Sequence, residues 1–303
     1  MKLPKSKISK LLERSMTCLE RQQPLVVLTI DRAESIVVIG DTHGDVEGVR
    51  LIARTFLDAS NGLSSGASNN ETRLVFLGDY VDRDDRDLEN LLQVLTLMVQ
   101  YPGKVFVLRG NHEERTMNLQ YGFMDTLESR GISQAYPTIE HLFTRLPVAC
   151  IIRPLNIFCC HGMTPVSPVQ LDLADIARVQ PRSSLAEFDD LAAQLLWNDP
   201  DPDEKEESSP SFRGIGYIVG RRDVETFMKH NTLRMVIRSH QAFPHGYRFF
   251  FDKRILSIFS KPNYNGGNNP ASIARIQANG CIDVLTRGHG DDAFTISDAW
   301  KLA

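Results

Sequence analysis

The sequence predicts an α/β protein with a mixed sheet system. Three observations carry that prediction. Short apolar runs of strand length recur along the chain, several alternate with segments of helical periodicity, and six of them stop at a polar cluster. The six runs cover residues 35–39, 74–77, 105–109, 157–160, 235–238 and 255–259. Most of the clusters that follow contain Asp, Asn or His, so strands that end together can gather metal-ligating side chains at one rim of a sheet.

Taken in order, residues 5–22 read as an amphipathic helix with Ile8, Leu11, Leu12, Met16 and Leu19 on one face. The run at 35–39 is the first strand, and after it Val49, Ile52, Ala53, Phe56 and Leu57 repeat at helical spacing. Residues 59–70 are rich in Ser, Asn and Gly and predict a flexible loop. A second strand, a helix over about 88–100 and a third strand complete a β-α-β-α-β order, which predicts parallel strands with crossover helices. The second half is richer in strands. Residues 246–251 and 254–259 predict a hairpin joined through Asp252 and Lys253, and the acidic, Pro/Ser-rich stretch 199–210 predicts an exposed loop. With no internal repeat and no linker, residues 1–303 are expected to form one domain, with a core from about 5 to 285 and a short tail over 289–303.

Bulk properties narrow the function classes. The chain of 303 residues is long enough for a substantial core, and 42% hydrophobic with 24% charged residues is an ordinary folded composition. A net charge of −4 gives no support for nucleic acid or an anionic membrane as the main partner, and no apolar run has the length of a membrane span. The start Met1-Lys2-Leu3-Pro4-Lys5 lacks an apolar signal core, so a cytoplasmic location is expected, with the nucleus as the alternative. Five cysteines without CxxC spacing argue against a disulfide framework or a structural zinc site; Cys159 and Cys160 read as buried apolar residues.

The polar clusters carry the chemistry. Asp41 and His43 stand two apart after a strand, so continued extended geometry would point both at one metal. Asp79 ends the next strand and can bridge two metals with its two oxygens, while Asn111, His161 and His240 can each supply one neutral ligand. Three histidines, two carboxylates and one amide, with no thiolate, suit manganese, iron or zinc better than magnesium alone. Two such ions about 3.5–4 Å apart can hold a shared hydroxide and polarise a phosphoryl oxygen. His112 directly follows Asn111 and is a candidate general acid, with Asp82 placed to hold it in the right tautomer. Arg83 and Arg213 can grip phosphate oxygens with planar forks. Each cluster alone has a bland reading: Asp41 as a turn cap, Asp82 and Arg83 as a surface ion pair, Asn111 and His112 as caps of the helix that follows, His161 as a core histidine. Their joint occurrence after successive strand-like runs favours a two-metal site.

Gly40-Asp41-Thr42-His43-Gly44, Gly78-Asp79-Tyr80-Val81-Asp82-Arg83 and Gly110-Asn111-His112-Glu113 resemble the three signature motifs of the phosphoprotein phosphatases, metal-dependent serine/threonine phosphatases. The likeness extends through Leu146-Pro147-Val148-Ala149, His161-Gly162, Trp197-Asn198-Asp199-Pro200, Arg213-Gly214, Ser239-His240 and Pro262-Asn263-Tyr264. It implies a β-sandwich of two mixed sheets flanked by helices, with a dinuclear metal site at the sheet edge. By motif position, Asp41, His43 and Asp79 would hold the first of two divalent ions, and Asp79, Asn111, His161 and His240 the second. His112 and Asp82 would be the acid pair, Arg83, Arg213 and the amide of Asn111 would bind phosphate, and Tyr264 would stand on the rim. The implied mechanism is direct attack by a metal-bridging hydroxide, with manganese in vitro and iron or zinc in the cell. The implied partners are a phosphoprotein substrate and a regulatory or targeting subunit. Two alternatives stay open: hydrolysis of a diadenosine polyphosphate or cap-like pyrophosphate, and an inactive scaffold or phosphopeptide binder. The chain departs from the family pattern at Asp84 and Met163, where Gly is usual, at Lys261, where Ala is common, and at Asn265, where type-1 and type-2A enzymes carry Cys. All four are expected near the substrate mouth, and position 84 is expected to need a positive φ if Gly is there for its backbone.

Overall fold

The computed structural model describes residues 4–32, 34–57, 72–167, 169–180 and 190–302, so the predicted flexible loop at 59–70 lies outside the described residues. Helix α1 (Lys5–Leu19) stops three residues short of its expected end and buries Ile8, Leu12 and Leu19. Strands β1 (Leu25–Thr29) and β2 (Ser35–Ile39) follow, then α2 (Val46–Phe56), β3 (Thr72–Phe76), α3 (Asp87–Gln100) and β4 (Val105–Val107). Asp45 starts α2 by accepting the Gly48 amide, an N-cap the run of polar residues after β2 supplies locally. Two short helices, α4 (Arg115–Tyr121) and α5 (Phe123–Ser129), meet at Gly122, whose φ of +113° a side chain would resist. Helix α6 (Tyr136–Arg145) leads to the antiparallel pair β5 (Ala149–Arg153) and β6 (Ile157–Cys160).

The second half adds α7 (Leu173–Ile176), α8 (Leu191–Trp197), the short strands β7 (Asp199–Pro200), β8 (Ser209–Pro210) and β9 (Tyr217–Val219), and α9 (Arg221–His230). It continues through β10 (Met235–Arg238), β11 (Tyr247–Phe250), β12 (Ile255–Ile258), β13 (Ala271–Gln277), β14 (Cys281–Arg287) and β15 (Thr295–Lys301). The predicted hairpin is β11–β12. Two expectations are corrected. Residues 199–210 are not wholly an exposed loop, because β7 and β8 flank β9 in a small sheet and Asp199 is fully buried. The expected tail contributes β15, which pairs antiparallel with β14 and lays Trp300 edge-on against Phe249 at 4.6 Å.

Two six-stranded mixed sheets stack face to face, ordered β1-β5-β6-β10-β12-β11 and β15-β14-β13-β2-β3-β4. Alternation along each strand builds the layers. Ile36 and Val38 of β2 face the inter-sheet core with Cys159 of β6, Ile237 of β10 and Leu256 of β12. Val37 and Ile39 face outward under α1, α2 and α3. Phe158, Val236 and Ile255 face the other way, under α8 and α9. Three neighbouring strands of each sheet run parallel, β2-β3-β4 in one and β6-β10-β12 in the other. Their carboxyl ends carry the six polar clusters, so the rim foreseen for one sheet is shared by two.

Candidate active site

After β2 the backbone does not stay extended: His43 takes a φ of +30°. Asp41 and His43 converge through a turn, fastened by Thr42 and His43 amides that both donate to the Asp79 carbonyl, at 3.1 and 3.0 Å. The Nδ1 of His43 lies 2.8 Å from the Val81 carbonyl, which can only accept, so the proton sits there. Its Nε2 faces both carboxylates, 3.4 Å from Asp79 Oδ2 and 3.8 Å from Asp41 Oδ2. Asp41 Oδ1 is held by the His240 amide at 3.0 Å and by the Ser239 hydroxyl, which ties this loop to the other sheet.

The loops after β3 and β4 are locked together by Glu113. Its buried carboxylate accepts the amides of Asp79, Tyr80 and Gly110, each at 2.8 Å. The backbones approach so closely that a Cβ on Gly78, where φ is +121°, would sit 2.2 Å from the Gly110 nitrogen. Asp79 is thereby fixed with Oδ1 on the His112 amide at 2.9 Å and Oδ2 between His43 and His161, 3.4 Å from each Nε2. Burial works to raise the Asp79 pKa, but the hydrogen bond and charge of the facing His43 imidazole help draw it below its ordinary value. Glu114 caps α4 by accepting the Thr116 and Met117 amides, so Asn111 and His112 are free of the capping role their position also allowed.

Asp82 Oδ2 lies 2.7 Å from His112 Nδ1 and accepts Asn118 Nδ2 at 3.1 Å, while Oδ1 accepts the Phe123 amide at 3.0 Å. The His112 ring stands edge-on to His43 at 4.8 Å. The positive φ expected at Asp84 falls instead on Asp82 (+67°) and Arg83 (+70°). Arg83 stacks its guanidinium 3.7 Å above the Tyr121 ring and stays exposed. Asn118 and Tyr121 lie on α4, beyond the ligand-bearing strand ends, and only the helix start after Asn111-His112 hints at them; Glu113 stands in the third motif, with no sign there of its bracing role.

The other sheet delivers His161 after β6 and His240 after β10. His161 Nε2 lies 2.8 Å from Asn111 Oδ1 and 3.1 Å from His240 Nδ1. Burial pushes His161 down to about 3 and His240 well below its ordinary value, so both are neutral. Arg238, fully buried, spans Gly162, Asn198, Asp199, Gln241 and Ser257 with five hydrogen bonds. Asp199 also accepts Arg213 Nε at 2.7 Å, which sets the second phosphate-binding candidate beside His240. Tyr264 stacks on His43 at 5.4 Å and packs edge-on against Phe259. Burial pushes its hydroxyl up to about 12. Asn265 is exposed nearby, whereas Met163 is not at the mouth at all: it is fully buried under β6 in the core with Leu195 and Val236.

These donor atoms fit metal ions. Among the described residues, one group of ligand atoms from His43, Asp79 and His112 and another from Asp79, His161 and His240 each fall within 4.8 Å. Asp79 is common to both. In the second group, His161 Nε2 lies 2.8 Å from Asn111 Oδ1 and 3.1 Å from His240 Nδ1, so three ligand atoms converge. The first has one carboxylate and two imidazoles, and Asp41 Oδ2 adds a second buried carboxylate 3.8 Å from His43 Nε2. Burial and Asp79 lift Asp41 to about 7, and Asp79 and Asp41 outweigh burial to hold His43 at about 9. A site this short of positive charge is completed by cations.

The fold and this geometry are those of a metallophosphoesterase, and comparison with known proteins agrees. Residues 34–244 match the family model described as calcineurin-like phosphoesterase, so the chain belongs to that family. It is 32% identical over 250 residues to a probable serine/threonine-protein phosphatase of Encephalitozoon cuniculi, covering 81% of this chain and 51% of that one. The chain thus spans about half the length of this curated relative. A protein serine/threonine phosphatase from Saccharomyces cerevisiae with similarity to human phosphatase PP5 superposes with a TM-score of 0.82 at 26% identity, covering 99% of this chain and 91% of that one. A cold-active protein-tyrosine phosphatase of a psychrophilic Shewanella shares the fold at a TM-score of 0.59 and 15% identity, over 93% of this chain and 84% of that one.

Proposed function

We propose that the chain is a single catalytic domain that hydrolyses phosphoserine and phosphothreonine in proteins. The observation that carries this reading is the meeting, at one rim, of two metal-ligand groups sharing Asp79 with the Asp82–His112 pair and two arginines. The likeness to two serine/threonine phosphatases directs it to phosphoprotein substrates.

Asp41, His43 and Asp79 would hold one divalent ion, and Asp79, Asn111, His161 and His240 the other. Such ions, when bound, supply Lewis acidity at the phosphoryl group and a nucleophile at neutral pH. Arg83 and Arg213 bind the phosphate oxygens, and Arg213 keeps its terminal nitrogens for that task because Asp199 takes its Nε. Asp82 accepts from His112 Nδ1, so that the doubly protonated ring can give its Nε2 proton to the departing serine or threonine oxygen. The Asn111 amide and Tyr264 line the substrate's path. Manganese in vitro, iron or zinc in the cell, a cytoplasmic or nuclear setting and a separate targeting subunit complete the reading. No helix among the described residues is long and apolar enough to cross a membrane.

The test is phosphate release from a phosphothreonine peptide by metal-stripped protein, with and without manganese, beside diadenosine tetraphosphate. Manganese-dependent release from the peptide alone is expected. Cleavage of the dinucleotide instead would replace the substrate, and inactivity on both with two metals bound would leave a phosphopeptide-binding scaffold.

A further inference from the structure

Two of the departures from the family pattern are partners. Lys261 Nζ lies 2.5 Å from Asp84 Oδ2, with both side chains largely buried, at 17% and 24% exposure. Gly at position 84 could not accept this bond, and Ala at position 261 could not donate it. Asp84 is also seated on its own side: its Oδ1 accepts the Arg86 amide at 2.9 Å, and its side chain packs so tightly on Gly44 that a Cβ there would meet Asp84 Cβ at 2.5 Å.

Each partner belongs to a loop that carries a substrate-facing residue. Asp84 directly follows Asp82 and Arg83, the two residues in left-handed conformation. Lys261 opens a loop closed on itself by Asn269, which donates to the Lys261 carbonyl at 2.8 Å and accepts the Tyr264 amide at 2.9 Å. That loop places Tyr264 over His43. The ion pair is therefore a strap across the mouth, joining the Arg83 wall to the Tyr264 wall beside Gly44.

We propose that Asp84 and Lys261 are specificity-determining residues: their ion pair fixes the spacing of Arg83 and Tyr264 and so governs how the chain flanking the phosphorylated residue is admitted. The proposal rests on the protein-phosphatase reading. It assigns the pair no part in the chemical step, since neither carboxylate nor ammonium belongs to the ligand groups or to the Asp82–His112 pair.

The test uses Asp84→Asn, which keeps an oxygen for the Arg86 amide, Lys261→Met, which keeps the apolar stem, and the double variant, in the metal-loaded full chain. Each single variant should raise KM for a phosphothreonine peptide by about two- to fivefold, the range expected of one ion pair. The double variant should be no worse than the worse single one, because both remove the same bond. With p-nitrophenyl phosphate, which has no flanking chain, kcat and KM should stay as in the parent. Unchanged peptide KM in both single variants, or effects that multiply in the double, would overturn the proposal. Equal losses on the small substrate would do the same, by reducing the pair to general support of the site. Should the parent cleave diadenosine tetraphosphate and no phosphopeptide, the protein-phosphatase reading fails, and the same cycle read on that substrate decides whether the strap selects it.

Discussion

At the scale of single residues, Asp82 shows how position and partner define a role. It belongs to neither ligand group, yet three donors converge on it: His112 Nδ1, the Asn118 amide nitrogen and the Phe123 backbone amide. An ionised carboxylate can accept all three, and an asparagine cannot, because one of its two terminal atoms is itself a donor. Asp82→Asn should therefore misorient His112 and lower kcat by about 10²-fold, within the range of general acid catalysis, while bound metal and fold persist. Metal analysis beside kinetics checks this, and parallel loss of metal would remove Asp82 from the acid pair. Residue type and order were enough to single out Asp82 and His112. They were not enough for Asp199, whose grip on Arg213 and Arg238 depends on β10 and the loop before β9 meeting in space.

At the scale of elements, the strand ends were readable because the six runs are almost wholly buried and five of them break at a ligand. β1 and β5 are equally apolar but end in Ile30-Asp31 and Arg153-Pro154, so a pattern keyed to metal ligands passes over them. The coupling between elements was not readable either. Glu113 reads as the last letter of a motif, and only the fold reveals that it accepts amides from the loop after β3 as well as from its own. Three backbone donors aimed at one buried carboxylate make it the joint that fixes Asp79 between the two ligand groups. Glu113→Gln would turn an amide donor toward at least one of those N–H groups. The unsatisfied pair should cost about 2–3 kcal/mol and reduce metal occupancy with it. Thermal unfolding and metal content of the purified variant measure both, and a variant with parental Tm and two bound metals would contradict the joint.

At the scale of the molecule, the site exists only because two sheets stack with their parallel triplets facing the same way. The His240 amide reaches Asp41 across 199 residues of sequence, and Gly40 reaches Ser260 across 220. Such separations leave no local trace, which is why the rim was expected on one sheet. The same architecture separates stability into two parts. The inter-sheet core is apolar and complete without ions, since it is built from β1, β2, β3, β5, β6, β10, β12, β13 and β14 side chains. The rim is not: Asp41 and Asp79 are buried side by side, and two buried imidazole nitrogens stand 3.1 Å apart. Chelation should therefore leave the far-ultraviolet circular dichroism intact, because no core contact is lost. It should lower Tm, because ions that bind only the folded state stabilise it by about 2.7 kcal/mol at a hundredfold excess over Kd. For a chain of 303 residues that is a fall of roughly 4 °C for each ion, restored by manganese. Removing one ligand of the second group by His240→Ala should halve the manganese bound and most of the recovery. A Tm indifferent to chelation and to manganese would mean that the rim holds its charges without cations, and the two-metal assignment would fall with it.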